Sequence, residues 1–149
     1  MAFKLGLSAK LYRDTGSAWD EVANVKNLTL NMDKGEADVS TRGNGGWKAT
    51  IAALKDASVE FDMVWDLADT DLTAIRDAYL NNTVVRFIIL DGAIDTAAAG
   101  CAGLKASFMV TKCSIPQNLE EAIMCQVTMK PTYSAVAPAW VTTPITWAA

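Results

Sequence analysis

The sequence predicts a mainly β fold, an antiparallel β-sandwich or barrel with one flanking α-helix. Apolar and polar residues alternate with a period of two along most of the 149-residue chain, which is typical of half-buried strands. In one segment, residues 71–80, apolar residues recur at spacings of three and four, which favours a helix. Clusters of Gly, Asn, Asp and Pro separate the alternating runs and predict turns. A chain of this length is expected to form one domain.

The first alternating run predicts a strand over residues 4–12. Its apolar face consists of Leu5, Leu7, Ala9 and Leu11. Residues 14–17, with the sequence DTGS, predict a turn. A second strand is predicted over residues 28–33, where apolar and polar residues alternate again.

Residues 36–42 are extended in pattern but mostly polar, so the strand they predict is poorly buried. They lead into the sequence GNGG at residues 43–46, which predicts a tight hairpin. A phosphate-binding loop is disfavoured there, because no Lys-Ser or Lys-Thr pair follows the glycines. The alanine-rich residues 47–54 predict a weaker strand.

The clearest strand covers residues 57–66. Its apolar face consists of Val59, Phe61, Met63 and Trp65. Glu60 and Asp62 lie on the opposite, acidic face. Two carboxylates at this spacing are able to act in acid-base catalysis, but only with a cleft, a partner base or a metal. Solvated acids on an open face explain them as well.

The predicted helix runs from about Asp71 to Leu80, with Asp69 or Thr70 as its natural N-cap, and Asn81-Asn82 closes it. Residues 83–90 are β-branched and mostly apolar, which predicts a strand covered on both faces. A loop is predicted over residues 93–103, which are rich in alanine and glycine.

Two more strands are predicted over residues 104–113 and 122–130. Prolines interrupt the remaining sequence, which predicts an extended tail rather than a packed element. The predicted organisation is a β-sandwich domain over residues 1–131 and an extended C-terminal arm over residues 132–149. The tryptophans of this arm, expected to contact a neighbouring subunit, are Trp140 and Trp147.

Composition argues against most enzymes. The chain has no histidine, so it contains no Ser-His-Asp triad, Cys-His dyad or HExxH zinc site. Its cysteines, Cys101, Cys113 and Cys125, lack the paired spacing of a zinc or redox motif. Cys113 and Cys125 become neighbours if a turn near Asn118 joins their strands, although a cytosolic chain would hold them reduced. Burial as small apolar side chains is the preferred interpretation.

Charge is unevenly distributed along the chain. The net charge is -4, yet residues 56–95 hold nine acids and two bases, whereas the rest holds eight acids and eleven bases. A surface built from the middle segment would repel a polyanion such as DNA, although acids scattered round the surface are the alternative. No apolar run approaches the roughly 20 residues that span a bilayer, and the start lacks a signal-peptide pattern. We therefore expect a protein made in the cytosol.

Exposed strand edges favour assembly over catalysis. The polar residues 35–42 leave backbone groups unpaired, and an edge without proline invites pairing with another chain. Repeating such a contact head to tail generates a ring. A small-ligand-binding β-barrel, or an enzyme that uses carboxylates, lysines or a thiol, are the rival hypotheses.

Three runs of sequence resemble the major tail tube proteins of long-tailed bacteriophages and prophages. They are residues 34–47 (KGEADVSTRGNGGW), 54–66 (LKDASVEFDMVWD) and 130–134 (KPTYS). The likeness covers most of the chain, including the strand order and the single helix. It implies the tail tube fold, which the type VI secretion tube shares, and a structural protein without a cofactor or a reaction.

The resemblance also implies hexameric rings that stack into a hollow tube through which DNA passes. Glu60 and Asp62 are then expected to face the bore, where negative charge keeps DNA from sticking. The loop residues expected to contact neighbouring subunits or rings are Glu36, Asp38, Arg42 and Trp47.

The partners implied are further copies of the chain, the tape measure, terminator and distal tail proteins, and DNA in transit, with no membrane. The implied location is the virion tail, after assembly in the cytoplasm of a bacterial host. A tube of a gene transfer agent, or of a contractile injection or type VI-like particle, is the alternative.

Overall fold

A computed structural model describes residues 3–97 and 100–147, over which the chain forms eight strands and one α-helix. The strands are β1 (Lys10–Asp14), β2 (Trp19–Glu21), β3 (Val25–Asp38), β4 (Thr50–Val64), β5 (Val84–Leu90), β6 (Ala102–Ser114), β7 (Met124–Pro131) and β8 (Ala139–Thr142). The helix α1 (Thr70–Asn81) connects β4 to β5. Parts of the predicted 93–103 loop and 132–149 arm, residues 98–99 and 148–149, lie outside the described residues.

All strand pairs are antiparallel and belong to one curled sheet with the order β2-β1-β5-β6-β7-β4-β3. The predicted fold class, mainly antiparallel β with one flanking helix, is confirmed. The C-terminal region was predicted to be extended and unpacked, but its β8 pairs with residues 102–105 of β6. This pairing is possible because β7 ends opposite Phe108 and leaves that side of β6 open.

The main hydrophobic core lies between the sheet and α1. The helix contributes Leu72, Ile75 and Ala78, which pack with the buried side chains of β4 to β7. A second cluster on the other face joins Tyr12, Ile88 and Leu90 to parts of the C-terminal region. Consecutive residues of β5 therefore enter different clusters, which confirms the strand predicted to be covered on both faces.

The first predicted strand is wrong over residues 4–9. Leu5 and Leu7 are exposed, and Gly6–Ser8 forms a 3-10 turn. The strand begins only at Lys10, because Lys10 pairs with Leu90, the last residue of β5. Beyond that point the neighbouring strand has turned away, so alternation alone does not produce a strand.

Segments predicted as four separate extended runs form only two long strands. β3 spans 14 residues and β4 spans 15, and they pair as one hairpin around the predicted GNGG turn. An irregularity in register between Lys34 and Glu36 places two residues of β4, Ala53 and Leu54, opposite Gly35 without ending either strand. The two strands are continuous because each supplies the other's backbone partners.

The helix caps agree with the sequence. Asp69 is the N-cap, and its side chain accepts a hydrogen bond of 2.9 Å from the backbone N–H of Asp71. Asn82 ends the helix in the left-handed conformation, with φ of 55°, which asparagine tolerates better than most residues. The cap thus fixes where the chain turns from the helix into β5.

One buried ion pair ties α1 to the sheet. The Nε of Arg13 on β1 donates to Oδ1 of Asp71 at 2.7 Å, and both side chains are largely buried. Burial raises the pKa of Asp71, while the hydrogen bond and charge of Arg13 oppose that rise. The charged form of Asp71 therefore depends on Arg13.

Replacing Arg13 alone is predicted to destabilise the subunit more than replacing both partners. Arg13→Met leaves a buried carboxylate uncompensated and lowers the free energy of unfolding by about 3 kcal/mol at neutral pH. The loss shrinks at acidic pH, because a carboxyl whose pKa is raised in the folded state is stabilised by protonation. Urea denaturation of Arg13→Met and of Arg13→Met with Asp71→Leu checks this. Equal losses in both variants would contradict it.

Candidate assembly surface

A two-stranded ribbon projects from the body of the subunit. β3 pairs with β4 along its length, but β4 pairs with β7 only over residues 59–64. Side chains of residues 31–38 and 50–56 are all exposed. We call residues 31–56 the projecting ribbon. Its length follows from the continuity of β3 and β4 beyond the last contact with β7.

The projecting ribbon has backbone groups without a strand partner on both outer edges, within the described part of the chain. A two-stranded hairpin in water is at best marginally stable, because half of its backbone groups face solvent. Proteins protect such edges with proline or short length, and residues 31–56 contain no proline. Both edges of the ribbon are therefore open to pairing with another strand.

Two pairs of like charges lie opposite each other at the base of the projecting ribbon. Asp33 lies directly opposite Asp56, and on the other face Lys34 lies directly opposite Lys55. Like charges in directly opposed positions repel. An isolated ribbon carries two such pairs, one acidic and one basic, so a partner of opposite charge on either face would relieve repulsion.

The acidic face continues onto the body of the sheet. Alternation along β4 places Glu60 and Asp62 on the same side as Asp56, while Val59, Phe61 and Met63 are buried on the other side, as predicted. The acids on this face are Asp33, Asp56, Glu60 and Asp62, whereas Glu36 and Asp38 alternate with Lys34 on the other face of β3. Lys112 lies beside Glu60 and Asp62 in a shallow depression and partly offsets their charge.

The tip of the ribbon brings together two of the predicted contact residues. Arg42 and Trp47 line one open depression, and the Trp47 side chain is 79% exposed. Glu36 and Asp38 lie lower on β3. Hydrogen bonds from the side chain and backbone of Ser40 lower the pKa of Asp38, so this acid stays charged to lower pH.

An apolar groove of about 520 Å³ lies where the ribbon meets the C-terminal strand. Its apolar lining consists of Met32, Ala57, Leu104, Pro131, Pro138 and Trp140. Trp140 is on β8 opposite Leu104 and remains 60% exposed. Trp147 is placed differently, because its Nε1 donates a hydrogen bond of 2.6 Å to Oδ1 of Asp14 on β1 of the same subunit.

The sequence interpretation missed Asp33 and Asp56, which extend the acidic face onto the ribbon. The order of charged residues along the chain indicated that these two acids are paired. Asp33-Lys34 and Lys55-Asp56 are mirror images about the GNGG turn, as expected for two paired strands of one hairpin. Treating the strands as four short segments hid that symmetry.

Two features are absent from the part of the chain that the structure describes. Its His, Cys, Asp and Glu residues form no group of three able to hold a metal ion. Between residues 3–97 and 100–147, no helix is long and apolar enough to cross a membrane.

The comparisons with known proteins agree with this fold. The family model for phage tail tube proteins matches residues 9–132. No curated protein matches the sequence.

Solved structures with the same fold come from tail particles. The chain is similar to one from the virion of a native gene transfer agent, with 19% identity, a TM-score of 0.73 and coverage of 94% of this chain and 100% of that chain. A chain from the tail of an empty gene transfer agent particle, refined with C6 symmetry, has 20% identity, a TM-score of 0.73 and coverage of 95% and 99%. The SPP1 tail tube protein has 13% identity, a TM-score of 0.74 and coverage of 95% and 80%.

Proposed function

Since this chain belongs to the phage tail tube protein family, we propose that its copies form six-fold rings that stack into a hollow tube through which DNA passes. It is a structural protein of a tail, not an enzyme. The projecting ribbon, with two unpaired edges and no proline, is the observation that carries the proposal. The C6 symmetry of the similar gene transfer agent tail supports the ring number.

Ring formation follows from the ribbon's two different edges. The outer edge of β3 and the outer edge of residues 50–58 of β4 are separate surfaces on one subunit. If β3 of one copy pairs with a neighbour's β4, the contact is head to tail and leaves one edge free for the next copy. Such a contact repeats until the ring closes, and closure removes every edge.

The acidic face is proposed to line the bore, with Glu60 and Asp62 at its centre. DNA carries one negative charge per roughly 1.7 Å of duplex, so an acidic wall repels it and prevents adhesion. The opposite face is not available for this role, because Val59, Phe61 and Met63 are buried there against the core.

Stacking of rings is proposed to use the ribbon tip and the C-terminal region. Arg42 and Trp47 lie at the tip of the ribbon, and Glu36 and Asp38 lie below them on β3. Trp140 is available to a neighbour through its exposed side chain, whereas Trp147 acts inside the subunit. The tape measure, terminator and distal tail proteins are the further proposed partners, met during assembly in a bacterial cytoplasm.

The similar structures include both gene transfer agent tails and a phage tail tube. We therefore propose the function common to both kinds of particle, a tube through which DNA passes. A gene transfer agent is the alternative particle, and genome sequencing of purified particles separates the two: random host DNA identifies the transfer agent.

Reversing the charge of Arg42 and truncating Trp47 at the ribbon tip is predicted to block tube growth without unfolding the subunit. Arg42→Glu with Trp47→Ala changes exposed side chains, so the circular dichroism spectrum should match that of the wild type. Negative-stain microscopy should show mean tube length reduced by about tenfold, which corresponds to roughly 1.4 kcal/mol per contact.

The matched control is Arg76→Glu with Tyr79→Ala on α1, where both side chains are also exposed. This control should leave tube length unchanged. Tubes of normal length in the tip variant would contradict the assignment of the tip to stacking.

Reversing charge at the proposed bore is predicted to impair DNA passage while tubes still form. Glu60→Lys with Asp62→Lys presents cations to the phosphates, and DNA delivery by intact particles should fall by about tenfold or more. Asp77→Lys with Asp95→Lys makes the same net charge change at exposed positions off the acidic face and should deliver DNA normally. Normal delivery by the Glu60 and Asp62 variant would refute the bore assignment.

A further inference from the structure

Two thiols meet on neighbouring strands of the sheet. The Sγ atoms of Cys113 on β6 and Cys125 on β7 lie 3.1 Å apart, and both cysteines are reduced. This confirms the prediction that the two residues become neighbours when a hairpin joins their strands.

The strand register explains the approach. Cys113 lies opposite Val127, so Cys125 is its diagonal neighbour two positions along β7. Both side chains point toward the core, where Cys125 is 1% exposed and Cys113 packs at the margin, half-buried. The sulfur atoms need to approach by only about 1 Å to reach the length of a disulfide bond.

We propose that Cys113 and Cys125 form a disulfide within the subunit once the particle leaves the reducing cytoplasm. The timing rests on the proposed function, because a tail component passes from a bacterial cytoplasm to an oxidising exterior. The capacity to form the bond does not rest on the proposed function, since it depends only on two strands of one subunit.

The oxidant is a small disulfide such as oxidised glutathione. The thiolate of Cys113 attacks one glutathione sulfur, forms a mixed disulfide and releases one glutathione thiolate. Cys125 then loses its proton and attacks the Cys113 sulfur, which breaks the mixed disulfide and releases a second glutathione thiolate. The two protons from the cysteines end on the two glutathiones, so the protein loses two hydrogens and the oxidant gains them.

The order of the steps follows from the environment of each thiol. Burial, and then the hydrogen bond and charge of the neighbouring Cys113, raise the pKa of Cys125 to about 12. Cys125 is therefore a poor first nucleophile, whereas Cys113 reaches the surface. Once Cys113 is in a mixed disulfide, its charge no longer opposes ionisation of Cys125.

The disulfide would link β6 and β7 covalently within their hairpin. β7 is the strand that joins β4, and thereby the projecting ribbon, to the rest of the sheet. Cross-linking residues 113 and 125 closes a short loop and restricts the unfolded chain. An oxidised tail would hold its ribbon-bearing strand more firmly than the newly made subunit.

The test uses the full-length protein, purified in reductant and then exposed to oxidised glutathione at mildly alkaline pH. Intact mass spectrometry under denaturing conditions should show the loss of two hydrogens, and thiol alkylation should label Cys101 alone. Peptide mapping should place the bond between Cys113 and Cys125. The urea midpoint should rise by about 1 M relative to the reduced protein.

Matched variants separate the pair from the third cysteine. Cys101→Ala should still form the bond, whereas Cys113→Ser should not. Cys125→Ala keeps the buried position apolar and should also abolish it. Three reactive thiols after oxidation, a bond to Cys101, or a bond between subunits would each overturn the proposal. Microscopy of the same samples reports tube formation separately, so failure of the disulfide and failure of the tube function give different results.

Discussion

The organising constraint of this structure is the backbone hydrogen bonding of the projecting ribbon. β3 and β4 satisfy each other on one side only, because β4 reaches β7 just over residues 59–64. Below that point α1 packs against the sheet and buries a continuous core. Above it, the subunit leaves two edges that another copy of the same strands is able to complete. We therefore propose that assembly follows from the point where β7 stops pairing with β4.

Electrostatics and packing make the two faces of this ribbon unequal. The alternation that buries Val59, Phe61 and Met63 necessarily turns Glu60 and Asp62 to the opposite side. The same alternation, carried onto the base of the ribbon, opposes Asp33 to Asp56 on one face and Lys34 to Lys55 on the other. Burial of the apolar side chains of β4 in the core therefore determines which acidic residues lie on the surface that we propose faces DNA.

Much of the fold follows from local pattern. Alternation identified most strands, and the capping residues located the helix within one residue at each end. Long-range strand pairing could not be predicted from local pattern. Residues 4–9 alternate but have no neighbouring strand. Strand β8 forms because β7 ends opposite Phe108 and leaves that side of β6 open. The acidic residues on β4 were found because one strand contains them. Asp33 and Asp56 were missed because their juxtaposition depends on hairpin register.

Amide hydrogen exchange of dispersed subunits and assembled tubes reports, residue by residue, whether the ribbon gains backbone partners on assembly. On this account, residues 31–38 and 50–56 exchange rapidly in the subunit and are slowed by about 100-fold or more in the tube, while the covered strand β5 is protected equally in both. Equal protection of the ribbon in the two states would show that its edges are complete without a neighbour and would contradict the account.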